Sequence, residues 1–298
     1  MAAALLAGCG DDGEPAEPQA AAKRPGGAVT LLAVGDVGRC DGDRDEAVAD
    51  LVAAEPEAQL AALGDLAYEE GLKEQFEGCY DPSWGRFKDR THPVPGNHEY
   101  QYFAKDAAAY FDYFGAAAGP YGTGYYSYSL GSWKVIALNS NCDAAALGGC
   151  GPDSPQGRWL AGELEADRGL CTLAYWHHPR FSSGGMHGSD PQVAPLWDAL
   201  YERGADVVLG AHEHNYQRFA PQDPSGNADS DRGVRQFVVG TGGAPLYRFP
   251  TDPLPTAEVQ RDDTHGILVL ELYPSGYDWR FEPVAGQTFK DSGSGRCH

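Results

Sequence analysis

Two apolar runs in the first third of the chain stop in the same way. Val29–Gly35 (VTLLAVG) is followed by Asp36, and Ala58–Gly64 (AQLAALG) by Asp65. A short apolar run closed by glycine reads as a buried strand, and the glycine lets the backbone turn closely beside a ligand. The carboxylate that follows then stands at the C-terminal edge of the strand, where open α/β sheets build their sites. The pattern recurs. Thr91–Pro95 runs into Gly96-Asn97-His98-Glu99, Thr172–Trp176 into His177-His178-Pro179, and Asp206–Gly210 into Ala211-His212-Glu213-His214. One Gly-Asp is a common turn, and a lone histidine is more often a structural residue than a ligand. Five successive strand ends offering carboxylate, amide oxygen and imidazole are the donor set of a mixed nitrogen/oxygen metal site for zinc, iron or manganese.

Between these runs the sequence predicts helices over Arg44–Ala54, Glu70–Cys79, Ala104–Phe114, Gln156–Asp167 and Gln192–Arg203. Strand, helix, strand, helix, strand implies parallel strands with crossover helices. Tyr125–Leu130 and Trp133–Asn139, parted by Gly131-Ser132, predict a hairpin. Gln236–Gly240, Gly266–Tyr273 and Tyr277–Pro283 make the last third strand-rich. An alternating α/β part followed by antiparallel strands predicts an α/β fold of two packed mixed sheets flanked by helices. All five strand ends are expected in one sheet. Gly240-Thr241-Gly242-Gly243 is expected to be a tight turn near the site, and the polar run Gln222–Gly233 a surface loop.

The 298 residues suffice for a sizeable core, and a formal charge of −21 repels polyanions. That balance excludes DNA or RNA as a general partner. A small phosphorylated substrate could bind only where bound cations overrode the field. Residues 1–28 read as a signal and linker before a single domain at 29–298. Leu6-Ala7-Gly8-Cys9 resembles the end of a bacterial lipoprotein signal, without the basic residues that usually precede it. It implies an extracytoplasmic protein, secreted or attached to the bacterial cell surface through lipidated Cys9. Six cysteines remain: Cys40, Cys79, Cys142, Cys150, Cys171 and Cys297. In an exported chain they suggest disulfides, with about 15 possible connectivities. Cys142–Cys150 is favoured because it closes a short Ala/Gly-rich loop. Cys40–Cys79 and Cys171–Cys297 are expected without a spacing argument that selects them. No Cys-x-x-Cys pair supports thiolate ligation.

Gly35-Asp36-x-Gly38, Gly64-Asp65-x-x-Tyr68, Gly96-Asn97-His98-Glu99, His177-x-Pro179 and Gly210-x-His212-x-His214 together resemble the calcineurin-like metallophosphoesterases. Tyr68 narrows the resemblance to the purple acid phosphatases, in a short bacterial form without an N-terminal fibronectin-like domain. The chain departs from the family at Ala211 and in the His177-His178 doublet. The resemblance implies a four-layer α-β-β-α sandwich and a centre of two metal ions, Fe(III) and a divalent Fe, Zn or Mn. It assigns Asp36, Tyr68 and His214 to the first metal and Asn97, His177 and His212 to the second, with Asp65 bridging. His177 is preferred to His178 because the family's ligand sits two residues before proline.

The activity implied is hydrolysis of phosphate monoesters. Two cations ~3.5–4 Å apart activate a water and clamp the phosphate, and the resulting hydroxide attacks phosphorus. His98, beside the ligand Asn97, and His187, on the Gly-rich loop Ser182–Ser189, are the candidates for protonating the leaving oxygen. Glu99 and Glu213 are expected either to orient imidazoles or to be solvated loop acids. His92, His265 and His298 are expected to be structural. A phosphodiesterase or nucleotidase could use the same core, and a surface-binding lipoprotein with a vestigial site is the reading outside enzymes.

Overall fold

The computed structural model describes residues 1, 27–42, 44–101, 106–166, 171–250 and 252–298. The lipoprotein-type segment around Cys9 therefore lies outside the described residues. The strands are β1 (Val29–Val34), β2 (Gln59–Ala62), β3 (Thr91–Pro93), β4 (Tyr126–Leu130), β5 (Trp133–Ala137), β6 (Cys171–Tyr175) and β7 (Val207–Gly210). They continue with β8 (Tyr216–Phe219), β9 (Arg235–Val239), β10 (Ala257–Arg261), β11 (Gly266–Tyr273), β12 (Gly276–Pro283) and β13 (Ser292–Arg296). They form two mixed sheets: a six-stranded one in the order β13-β12-β11-β1-β2-β3, and a seven-stranded one in the order β10-β8-β9-β7-β6-β5-β4.

The alternation of side chains along each strand builds the layers. Leu31 and Ala33 face inward to meet Val135, Leu173, Leu209 and Phe237 of the other sheet. Leu32 and Val34 face outward, onto Val48 and Val52 of the helix Arg44–Ala53. The seven-stranded sheet does the same: Ile136, Ala174 and Val208 pack on Leu160 and Leu164 of the helix Pro155–Ala166 and on Leu196, Trp197 and Leu200 of the helix Ala194–Glu202. The result is a helix–sheet–sheet–helix sandwich of four layers. Each large side chain fully buried in it contributes about 1.5–3 kcal/mol. Asp45 and Glu46 place negative charge in the first turn of the first helix, where its dipole favours it. Ser154 Oγ accepts from Gly157 N–H and caps the helix that Pro155 opens.

Several expectations are corrected. Of the five site-bearing strands, β1, β2 and β3 run parallel in the six-stranded sheet, whereas β6 and β7 run parallel in the seven-stranded one. The site therefore straddles two sheets. The helix expected over 70–79 is a chain of short helical turns from Lys73 to Arg90, including a π-helical turn at Phe76–Tyr80. Its Phe76, Tyr80 and Trp84 recur every four residues and are buried together. The helix expected from residue 104 begins at Ala108.

Strands β8, β10 and β13 were not legible in the sequence. β13 (SGSGR) has no apolar residue, yet it pairs along β12 from Gly276 to Arg280. A Cβ at Gly293 would sit 2.3 Å from the Trp279 ring, and one at Gly295 would sit 2.4 Å from the Tyr277 ring, so these glycines make room for aromatic cover. The three expected disulfides, Cys40–Cys79, Cys142–Cys150 and Cys171–Cys297, are all formed. No helix among the described residues is long and apolar enough to cross a membrane.

Candidate metal centre

Three of the candidate ligands sit on backbone that side chains rarely adopt. Asp36, Asp65 and His212 have φ of 60°, 53° and 68°. Such left-handed residues cost about 1–3 kcal/mol each and persist where the surrounding structure holds them. Here they turn each chain sharply at its strand end, so that side chains from both sheets enter one space. Gly96 permits the closest approach, because a Cβ there would lie 2.1 Å from Asp65 Oδ1.

Two overlapping groups result. In the first, Tyr68 Oη donates to Asp36 Oδ1 (2.9 Å) and lies 3.1 Å from His214 Nε2 and 3.3 Å from Asp65 Oδ2. In the second, His177 Nε2 lies 3.1 Å from Asn97 Oδ1, 3.1 Å from Asp65 Oδ2 and 3.2 Å from His212 Nδ1. Asp65 belongs to both. The residues outside the groups fix which ring nitrogens face inward. His177 Nδ1 donates to the Leu63 carbonyl (2.8 Å) and His214 Nδ1 to that of Pro245 (2.9 Å), which leaves both Nε2 lone pairs pointing into the site. Around His177 Nε2 the neighbours are oxygens and a second imidazole nitrogen. A cluster of converging acceptors is best satisfied by a cation.

The electrostatics agree. Burial alone would lower His177, but the Asp65 carboxylate outweighs it and raises the imidazole to about 9. Burial would raise Asp65, and His177 instead holds it well below the usual carboxylate range. Burial, then Asp36 and Asp65, push the Tyr68 phenol well above its ordinary value. Burial and the neighbouring His178 and His177 lower His212. The donor set, its inward lone pairs and this demand for positive charge all fit metal ions.

All seven sequence-predicted ligands are brought together. His177 faces Asp65 and Asn97; His178 has its Nδ1 2.8 Å from Ser140 Oγ, yet one of its ring nitrogens lies within 4.8 Å of nitrogens of His177 and His212. The His178 ring still lies 4.5 Å from that of His212, and burial, with His177, lowers it to about 3. His98 Nδ1 donates to the Glu69 carbonyl, leaving Nε2 3.8 Å from Asp65 Oδ2. The His187 ring lies 4.0 Å from His212 at the exposed rim. His92 pairs with Gln59 and stacks on Tyr128, and His265 and His298 lie against Thr241 and Asp206. Gly240 and Gly242 turn beside the site, since Cβ atoms there would meet Asp36 Oδ2 and the Gly35 carbonyl.

The two glutamates are neither imidazole partners nor solvated. Glu99 is fully buried and accepts from the amides of Asp65, Leu66, Ala67 and Gly96 at 2.7–3.3 Å, joining the Asp65 loop to the Asn97 loop. Glu213, also fully buried, accepts from the amides of His187 and Gly188, both at 2.6 Å. Sequence reasoning missed Tyr247, whose ring stacks on His214 at 4.0 Å and 12°. It lies in a loop with no local signal for that role. Cys171 and Cys297 lie beside Asp206, but both are spent in their mutual disulfide and offer no thiolate.

Residues 29–216 match the calcineurin-like phosphoesterase family. Probable purple acid phosphatase 20 of Arabidopsis thaliana is 26% identical over 244 residues, 70% of this chain and 51% of that protein. Acid phosphatase type 7 of Mus musculus is 26% identical over 196 residues, 56% of this chain and 43% of that one. The chain spans between 34% and 51% of the length of its plant relatives. In fold it is similar to the purple acid phosphatase PPD1 from yellow lupin (Lupinus luteus) seeds, with a TM-score of 0.73 at 17% identity over 90% of this chain and 53% of that one. By sequence match, fold and strand-end residues, the chain belongs to the calcineurin-like phosphoesterase family.

Proposed function

We propose that this chain hydrolyses phosphate monoesters with two metal ions bound in the centre described above. The observation that carries the reading is the convergence of seven donor side chains into two groups that share Asp65. Asp36, Tyr68 and His214 would hold the first ion, Fe(III), and Asn97, His177 and His212 the second, a divalent Fe, Zn or Mn. When bound, the ions supply an activated water and neutralise charge on the phosphate. The chain's own residues do the rest. His98, whose Nδ1 donates to the Glu69 carbonyl, directs Nε2 toward the site, and in its imidazolium form can give the Nε2 proton to the departing oxygen. His187 stands on the other rim, positioned by the hydrogen bonds that the His187 and Gly188 amides donate to Glu213.

Tyr68 supports the monoesterase over a diesterase or nucleotidase. Three disulfides support an oxidising, extracytoplasmic location, secreted or anchored through Cys9. The formal charge of −21 supports a small substrate and no nucleic acid partner.

The test is metal analysis of active protein together with turnover of 4-nitrophenyl phosphate and bis(4-nitrophenyl) phosphate. Two ions per chain and a preference for the monoester are expected, and Asp65→Asn should lose most of the metal and the activity. One ion or none in fully active protein would overturn the two-metal reading. Preference for the diester would overturn the substrate assignment.

A further inference from the structure

A cavity of about 410 Å³ opens directly against the second donor group, with Asn97 and His178 in its wall. Because Asn97 of that group lines it, this cavity is close enough to a phosphoryl group held there, and large enough, to receive a leaving group. The inference rests on the phosphatase reading above and asks what alcohol that reading implies.

The chemistry of the wall is one-sided. Tyr100, Asn141 and Gln192 offer hydroxyl and amide groups, Asp143 and Asp190 offer carboxylates, and among the described residues the lining holds no Lys or Arg. The polar groups are set rather than loose. Asn141 Nδ2 donates to the Pro95 carbonyl (3.2 Å) and to Asn139 Oδ1 (2.9 Å), which frees its own Oδ1 as an acceptor. The Tyr100 hydroxyl accepts from Asn139 Nδ2 (2.8 Å) and keeps its proton to donate. Asp190 Oδ1 accepts from Gln192 N–H (2.8 Å). Arg180 acts on Asp190 at longer range, but its guanidinium donates to the Pro224 carbonyl and lies over the Phe181 ring. Burial, chiefly, raises the Asp190 carboxyl above its usual range; the Gln192 N–H and Arg180 oppose this, and Asp143 adds to it.

We infer that this cavity is the leaving-group subsite and that it selects phosphate monoesters of uncharged, hydroxyl-bearing alcohols, such as sugar monophosphates, against esters whose leaving group carries further phosphate. Hydroxyl groups meet donors and acceptors already oriented there. A second phosphate would meet two carboxylates with no opposing cation among the lining residues, inside a chain that is strongly anionic overall.

Wild type and Asp143→Asn/Asp190→Asn protein, both metal-loaded, would be assayed on glucose 6-phosphate, glucose 1,6-bisphosphate and 4-nitrophenyl phosphate. Asparagine retains the Asp190 contact to Gln192 N–H, so the fold is preserved. In wild type, kcat/KM for the monophosphate should exceed that for the bisphosphate by about tenfold or more. In the double variant that ratio should fall by about fivefold, while 4-nitrophenyl phosphate changes by less than about twofold. A wild-type ratio near one, or a ratio unmoved by the double substitution, would overturn the subsite. Failure of wild type to hydrolyse any of the three esters would instead overturn the phosphatase reading itself.

Discussion

At the scale of single residues, the centre separates groups that would hold metal from groups that would act on the departing oxygen. Tyr68 is the sharpest case. Its phenol is buried between Asp36, Asp65 and His214, and without a cation it holds its proton tightly. A strongly charged ion would displace that proton. Tyr68→Phe should therefore abolish a visible charge-transfer band of the iron-loaded protein while circular dichroism stays unchanged. A colourless, oxidised, iron-containing wild type would remove Tyr68 from the ligands. His98 and His187 occupy the opposite category, for neither belongs to the two donor groups. His98→Ala and His187→Ala should retain both metals. At least one should lose more rate on alkyl than on aryl phosphates, within the ~10²–10⁴-fold range of acid catalysis, because a nitrophenolate leaves without help. Equal losses on both ester types would assign the two histidines to phosphate binding.

At the scale of elements, the loops matter as much as the strands that launch them. Glu99 clasps four backbone amides from two loops, so its carboxyl group fixes where Asp65 and Asn97 stand relative to each other. Glu99→Gln would turn an amide N–H against those donors. The variant should unfold about 1–3 kcal/mol more easily. In titrations it should bind zinc more weakly than wild type; unchanged stability and zinc affinity would reduce Glu99 to a bystander. Which elements were legible in the sequence follows from the same physics. β1, β2, β6 and β7 carry continuous apolar runs that end in ligand residues, so strand and site were read together. β13 is built from Ser, Gly and Arg and exists because β12 offers it a backbone edge and two aromatic rings, neither of which is local information. The seven donors lie at strand ends and were visible. The amide clasp of Glu99, the tether of Glu213 and the stacking of Tyr247 on His214 depend on which loops meet across the sandwich. The assignment of all five strand ends to one sheet erred for a related reason, since apolar runs report burial and not the partner that provides it.

At the scale of the whole molecule, Cys171–Cys297 joins the first residue of β6, in the seven-stranded sheet, to the chain just beyond β13, at the edge of the six-stranded one. It closes a loop with a sequence separation of 126 residues. Chain-entropy arguments put such a cross-link at about 4–5 kcal/mol, more than the short Cys142–Cys150 loop at about 2–3 kcal/mol. Replacing both Cys171 and Cys297 with Ala should thus lower the denaturation midpoint more than replacing Cys142 and Cys150. The reverse order, measured in urea, would show that residual structure in the unfolded chain dominates. The placement of the donors across both sheets has a wider consequence. Asp36, Asp65, Tyr68 and Asn97 ride on one leaf of the sandwich and His177, His212 and His214 on the other. Ions seated among them would rivet the leaves together and favour the native chain in proportion to their free concentration. The working lifetime of the protein would then be set partly by its surroundings, long in water that supplies trace metals and short where competitors scavenge them.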